Sequence, residues 1–150
     1  MNIHRRVRNE PDVRPRNEPD VAFRFDHTAS AARQARRLVD QILGQADEHL
    51  AWDVALVTSE MVSNVVAHTG DGGLLNAWDT NPFRVEVHDT SHVIPRMRTK
   101  ADELGGRGLG IVDTLATTWG ARETSDGKVV WAEFNRPAIA LPSAGVRRGA

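Results

Sequence analysis

Residues 46–68, "ADEHLAWDVALVTSEMVSNVVAH", limit the fold more than any other stretch of the chain. Apolar residues recur at helical spacing around most of the cylinder, which predicts a long helix burying most of its surface. Such a helix needs packed neighbours on several sides, so it points to a layered domain. Glu60, Asn64 and His68 interrupt it at steps of four and fall along one face. A largely buried helix carries a polar row of this kind when the row has something to meet. The stretch ends at "TGDGG", residues 69–73, a turn sequence.

The rest of the chain supplies what packs on this helix. "VAFRF" (21–25) alternates and reads as a strand. "TASAARQARRLVDQILG" (28–44) follows as a helix that Thr28 or Ser30 can cap and Gly44 can end. After the long helix, "LLNAWD" (74–79) and "FRVEVHD" (83–89) read as strands joined through "TNP". The polar residues 90–104 show no period. "GLGIVDTLATTW" (108–119) opens a third helix at a glycine cluster, and "GARETSD" and "KVVWAEF" form a last strand pair around Asp126-Gly127. The order β-α-α-β-β-α-β-β predicts an α+β, two-layer sandwich with helices on one face of a mixed, mostly antiparallel sheet.

Length and charge narrow the function classes. The chain has 150 residues, which suits one domain with a substantial core. A formal net charge of −1 gives no general attraction to nucleic acid or an anionic membrane. Without cysteine there is no thiol catalysis, thiolate metal site or disulfide, consistent with a reducing compartment. No apolar run approaches a membrane span, and "MNIHRRVRNEPDV" has no apolar segment behind its charges, so the expected location is the cytoplasm. The hexapeptide "RNEPDV" occurs at 8–13 and again at 16–21. It is polar and proline-containing, so residues 1–21 are expected to form a disordered arm, residues 22–136 the folded domain and residues 137–150 a flexible tail.

Three clusters have chemical potential. In the helix row, Glu60 can serve as a general base and Asn64 offers a hard oxygen ligand suited to Mg²⁺; the same row also reads as a solvated stripe. In "VEVHDTSHVIP" (85–95), Asp89 stands at a strand end, where a carboxylate can read a ligand donor or cap a turn. In "GGRGLGIVD" (105–113), glycines allow close backbone approach and the following helix contributes its positive end, a combination suited to phosphate. The chain holds no P-loop, and Ile111 occupies the sixth position where a dinucleotide fingerprint needs glycine.

The order of these clusters resembles the GHKL ATPase superfamily: Glu-x-x-x-Asn on a helix, Asp at a strand end, then a G-x-G loop opening a helix. Within it, residues 22–136 look most like the anti-sigma-factor serine kinases and the short stand-alone ATP-binding regulators of actinobacteria. The resemblance implies ATP and Mg²⁺ as cofactors. It assigns Mg²⁺ binding to Asn64 and general-base action on a substrate serine to Glu60. It places the adenine amino group on Asp89, with Ser91 in the same box. It gives the phosphates to the second glycine box, Gly106, Arg107, Gly108, Leu109 and Gly110. Residues 90–104 would be a short lid, and Gly127-Lys128 would lie at the adenine side. One departure stands out: the usual D-x-G-x-G reads Asp89-Thr90-Ser91-His92-Val93, with Ser91 and Val93 in place of glycines.

The expected function is a regulatory serine/threonine kinase acting as an anti-sigma-factor-like switch. Its partners would be a sigma factor, an antagonist protein phosphorylated on serine, or both, and the resemblance allows a homodimer. The alternative is a non-catalytic interaction module of the same fold. Arg33, Arg36 and Arg37 read as a solvated helix face available to a protein interface rather than to nucleic acid.

Overall fold

A computed structural model describes residues 15, 17–44, 47–94 and 107–136. Eight elements follow one another: β1 (Val21–Phe25), α1 (Ala31–Leu43), α2 (Glu48–Thr69), β2 (Gly73–Trp78), β3 (Phe83–Asp89), α3 (Arg107–Leu115), β4 (Thr118–Thr124) and β5 (Gly127–Phe134). The strands form one sheet in the order β1-β2-β3-β5-β4. Every pairing among the described residues is antiparallel, so the expected mixed character of the sheet is corrected.

Side-chain alternation along the strands sends one set of residues to the helices. Phe25, Leu75, Ala77, Phe83, Val85, Val87, Val130, Ala132 and Phe134 join Ala35, Val39, Val54, Val57, Met61, Val62, Val65 and Val112 in one apolar core. α2 lies at its centre and packs against α1, α3 and the sheet. Its length and apolar composition reach what a bilayer span requires, contrary to the expectation from sequence. Its buried residues are those of a core helix, however, and Glu48, Asp53 and Glu60 interrupt it.

The helix ends show what local chemistry selected. Asp47 is the N-cap of α2, its Oδ1 accepting from the Leu50 amide at 3.1 Å. Gly70, at φ 70°, closes the helix in the left-handed region, where only glycine is free of strain. Asp47→Ala should lower stability by about 1 kcal/mol, read as a shift of the urea midpoint; no shift would mean that water caps the helix equally well. Ser30 sits at the N-cap of α1, but its hydroxyl accepts from Gln34 Nε2 at 3.0 Å and caps no backbone amide.

The third helix ends earlier than expected. The sequence pattern predicts helix through residue 119, yet α3 ends at Leu115 and β4 begins at Thr118. The Thr117 amide already donates to the Glu133 carbonyl, extending the ladder, and Trp119 is buried with its Nε1 donating to Asp113 Oδ1 at 3.0 Å. Two threonines and a buried indole favour the pleated surface once a partner strand is present.

At the other end of the chain, Trp78 Nε1 donates to the Asn17 carbonyl at 2.9 Å and the Asp79 amide to Asp20 Oδ2 at 2.7 Å. Asn17 and Asp20 belong to the second copy of the hexapeptide, and these two residues tie it to the end of β2.

Candidate functional site

The end of β3, the start of β5 and the turn after α2 meet at one end of the sheet. Asp89 pairs directly with Lys128 across the strands, on the side facing the helices. Gly127 permits that approach: a Cβ there would stand 1.9 Å from the Asp89 carbonyl oxygen. Thr90 Oγ1 donates to Asp71 Oδ2 at 3.2 Å, joining the β3 end to the turn that closes α2.

Asp89 is buried and well supplied with donors. Lys128 Nζ stands 3.0 Å from Oδ1 and 2.8 Å from Oδ2, and the Ser91 amide donates to Oδ1 at 2.8 Å. Ser91 in turn accepts from the Val93 amide through its Oγ, at 3.2 Å. Two consecutive side-chain turns therefore shape the loop where the resemblance expects glycines. No non-glycine residue among the described ones has a positive φ, so Ser91 and Val93 carry no left-handed strain.

Glu60 and Asn64 are half-buried on α2, beside the buried Met61, Val62 and Val65. Among the described residues, neither side chain takes part in a hydrogen bond or ion pair. At 1.5 Å per residue Asn64 lies roughly 7 Å along the axis from Thr69, and Glu60 about 6 Å further. The row leads away from the sheet end that holds Asp89. His68 is exposed and one turn nearer that end.

α3 packs beside α2 and begins at Arg107. Arg107, Gly108, Leu109 and Gly110 form its first turn, where backbone N–H groups have no intrahelical acceptor. The Leu109 side chain is buried in the apolar core, so only its backbone can serve a ligand. A Cβ on Gly110 would meet nothing within 4 Å. Gly106 and residues 95–104 of the expected lid lie outside the described residues.

Sequence reasoning missed two features. The resemblance puts Lys128 at the adenine side but gives it no partner, and cross-strand register places it on Asp89. The strand reading of 83–89 does not predict the burial of Arg84 and Glu86, each only 2% exposed on the sheet face away from the core. Arg84 donates to Glu86 Oε1 through Nε at 3.0 Å and Nη2 at 2.8 Å, and to Glu133 Oε1 through Nη1 at 2.7 Å. Its guanidinium lies 4.8 Å from the Trp131 ring centroid. Trp131 fits there because its cross-strand neighbour is Gly120, where a Cβ would come within 2.8 Å of the indole. His88 Nε2 stands 3.1 Å from Glu86 Oε2.

Residues 25–134 match the histidine kinase-like ATPase domain, and the chain belongs to that family. Among solved structures it resembles the RsbU and RsbW domains of Rv1364c from Mycobacterium tuberculosis, with 21% identity and a TM-score of 0.59. That likeness covers 79% of this chain and 33% of the other, so this chain spans about a third of its neighbour's length. At this identity it bears on the fold alone. No curated protein matches the sequence significantly.

Proposed function

We propose that the protein binds ATP with Mg²⁺ and transfers phosphate to a serine or threonine of a partner protein, acting as an anti-sigma-factor-like regulatory kinase in the cytoplasm. The observation that carries this reading is the pairing of Glu60 and Asn64, adjacent on one half-buried face of α2 and unengaged by other described residues. Family membership supports the ATP part.

The residues fit the cofactor by their chemistry. Asn64 supplies an uncharged oxygen of the hard type that Mg²⁺ takes, and Mg²⁺ commonly relies on few protein ligands because phosphates and waters complete its shell. The first turn of α3 presents unpaired N–H groups and a positive helix end to an anion. Among the described residues, three donor contacts meet the four acceptor sites of Asp89, which leaves a lone pair on Oδ2 for a ligand. Bound Mg-ATP supplies the transferable phosphoryl group and neutralises charge developing on it. Glu60 accepts the proton of the incoming serine hydroxyl at a carboxylate oxygen and orients that oxygen for attack. Asn64, one turn away, holds the metal side of the site in register with it. Buried Asp89 anchors the base end.

Calorimetric titration with ATP, with and without Mg²⁺, tests the binding half. Asn64→Ala should weaken Mg²⁺-dependent binding by about tenfold or more while leaving the fold intact. Binding equal in both proteins would remove Asn64 from the site.

A second reading has its own observation. Lys128 and Ser91 occupy three of the acceptor positions of Asp89, which supports a non-catalytic interaction module with weak nucleotide binding. No heat at millimolar ATP, together with partner binding indifferent to nucleotide, would favour it. The partner under the first reading is a sigma factor or an antagonist protein. Arg33, Arg36 and Arg37, all exposed on α1, offer a surface for such a contact, as does Trp52 on α2.

A further inference from the structure

The sheet face away from the helices is shielded, although no described helix lies on it. α1, α2 and α3 all pack on the other face, through the residues of the apolar core. Register sets the outward side chains in rows across the strands. Trp78, Arg84 and Glu133 make one row, Glu86 and Trp131 the next, and His88 and Val129 the third. The open face of a two-layer domain is ordinarily wet and polar. Here Val129 is 0% and Trp131 7% exposed, beside the shielded Arg84 and Glu86. On β1, by contrast, Ala22 and Arg24 of the same face are exposed. The shielding is centred on β3 and β5.

The N-terminal part of the chain leaves from this face. The Trp78 indole, directed outward, donates to the Asn17 carbonyl, and Asp20 accepts from the Asp79 amide. These contacts hold residue 17 against the first row. Residues 1–14 span roughly 46 Å when extended, whereas β2 to β4 is about 14 Å at ordinary strand spacing. Charge fits as well. Glu86 and Glu133 share the Arg84 guanidinium, an excess of one negative charge, while residues 1–14 carry Arg5, Arg6, Arg8 and Arg14 against Glu10 and Asp12. Residues 137–150 leave from the same end of the sheet, but Arg136 is fixed to Asp79 and Asn81 in the β2–β3 loop rather than over the face.

We propose that this outer face is a docking surface whose occupant is the chain's own residues 1–14, laid over β3 and β5 from the anchor at Trp78. The second hexapeptide copy is the anchor, and the first, residues 8–13, belongs to the covering segment. Covered in this way, the face is closed to other proteins and to a second copy of the chain, which leaves the helical side for partners.

The test uses the absence of cysteine. A nitroxide is attached to Val7→Cys in the isotope-labelled full chain, and its neighbours are read from the four tryptophan indole N–H signals. Trp78 and Trp131 belong to the outer face, Trp119 lies in the helix-side core and Trp52 is exposed on α2. The Trp78 and Trp131 signals should lose most of their intensity relative to the ascorbate-reduced sample, while Trp52 keeps its own. Undiminished signals from Trp78 and Trp131, or equal loss at all four indoles, overturns the proposal. So does loss at Trp131 from a nitroxide on Ala144→Cys but not from position 7, which would give the face to the C-terminal residues. In a mixture of isotope-labelled wild type and unlabelled protein bearing the nitroxide at position 7, every indole signal should stay intact. Loss at Trp131 in that mixture would assign the face to residues 1–14 of a second copy and overturn the assignment to the chain's own.

Discussion

Glu60→Gln should abolish nearly all phosphate transfer, by about 10²–10⁴-fold, while ATP binds almost as before. The amide keeps the shape and hydrogen-bonding reach of the carboxylate but cannot accept a proton from the substrate hydroxyl. Because Glu60 sits one helical turn from Asn64, its loss should leave the proposed Mg²⁺ contact of Asn64 undisturbed. The measurement is incorporation of labelled phosphate into a genuine partner, alongside a nucleotide dissociation constant. Equal losses in transfer and binding would show that Glu60 holds the nucleotide rather than the proton. Undiminished transfer would mean that another group, or none, acts as the base.

The second large effect concerns stability. Arg84→Ala should cost about 3–5 kcal/mol, seen as a lower urea midpoint with an unchanged slope. The guanidinium meets Glu86 and Glu133 and lies over Trp131 in a region where both Arg84 and Glu86 are almost wholly shielded from water. Removing it leaves two carboxylates without their cation, and the buried Glu86 cannot regain full hydration. Exchanging Arg84, Glu86 and Glu133 together for apolar residues of similar volume should be much milder, because no uncompensated charge then remains. A loss of less than about 1 kcal/mol for Arg84→Ala would mean that water reaches this face in solution.

Much of the architecture was legible because it depends on local periodicity. The apolar spacing of α2, the alternation in β1 and β3, and the turn residues at 69–73 and 126–127 produce the element order found. The same holds for Glu60 and Asn64, whose adjacency follows from helical geometry alone. Legibility failed where a partner from elsewhere in the chain decides. Trp119 belongs to β4 because β5 is there to pair with it and Asp113 is there to accept its indole N–H. The resemblance groups Leu109 with the phosphate box, yet its side chain turns into the core.

The sequence by itself determined the α+β class, the position of the central helix and the polar row along it. Those properties arise from residues within a few positions of one another, whose spacing dictates which face they share. Only the tertiary structure decided what surrounds Asp89. The carboxylate and Lys128 are separated in the chain by α3 and β4 but stand opposite each other in the ladder. Their contact depends on strand register and on the missing Cβ of Gly127. The burial of Arg84 with Glu86 and Glu133 was likewise settled by register, since alternation names a residue's face but not what lies across from it.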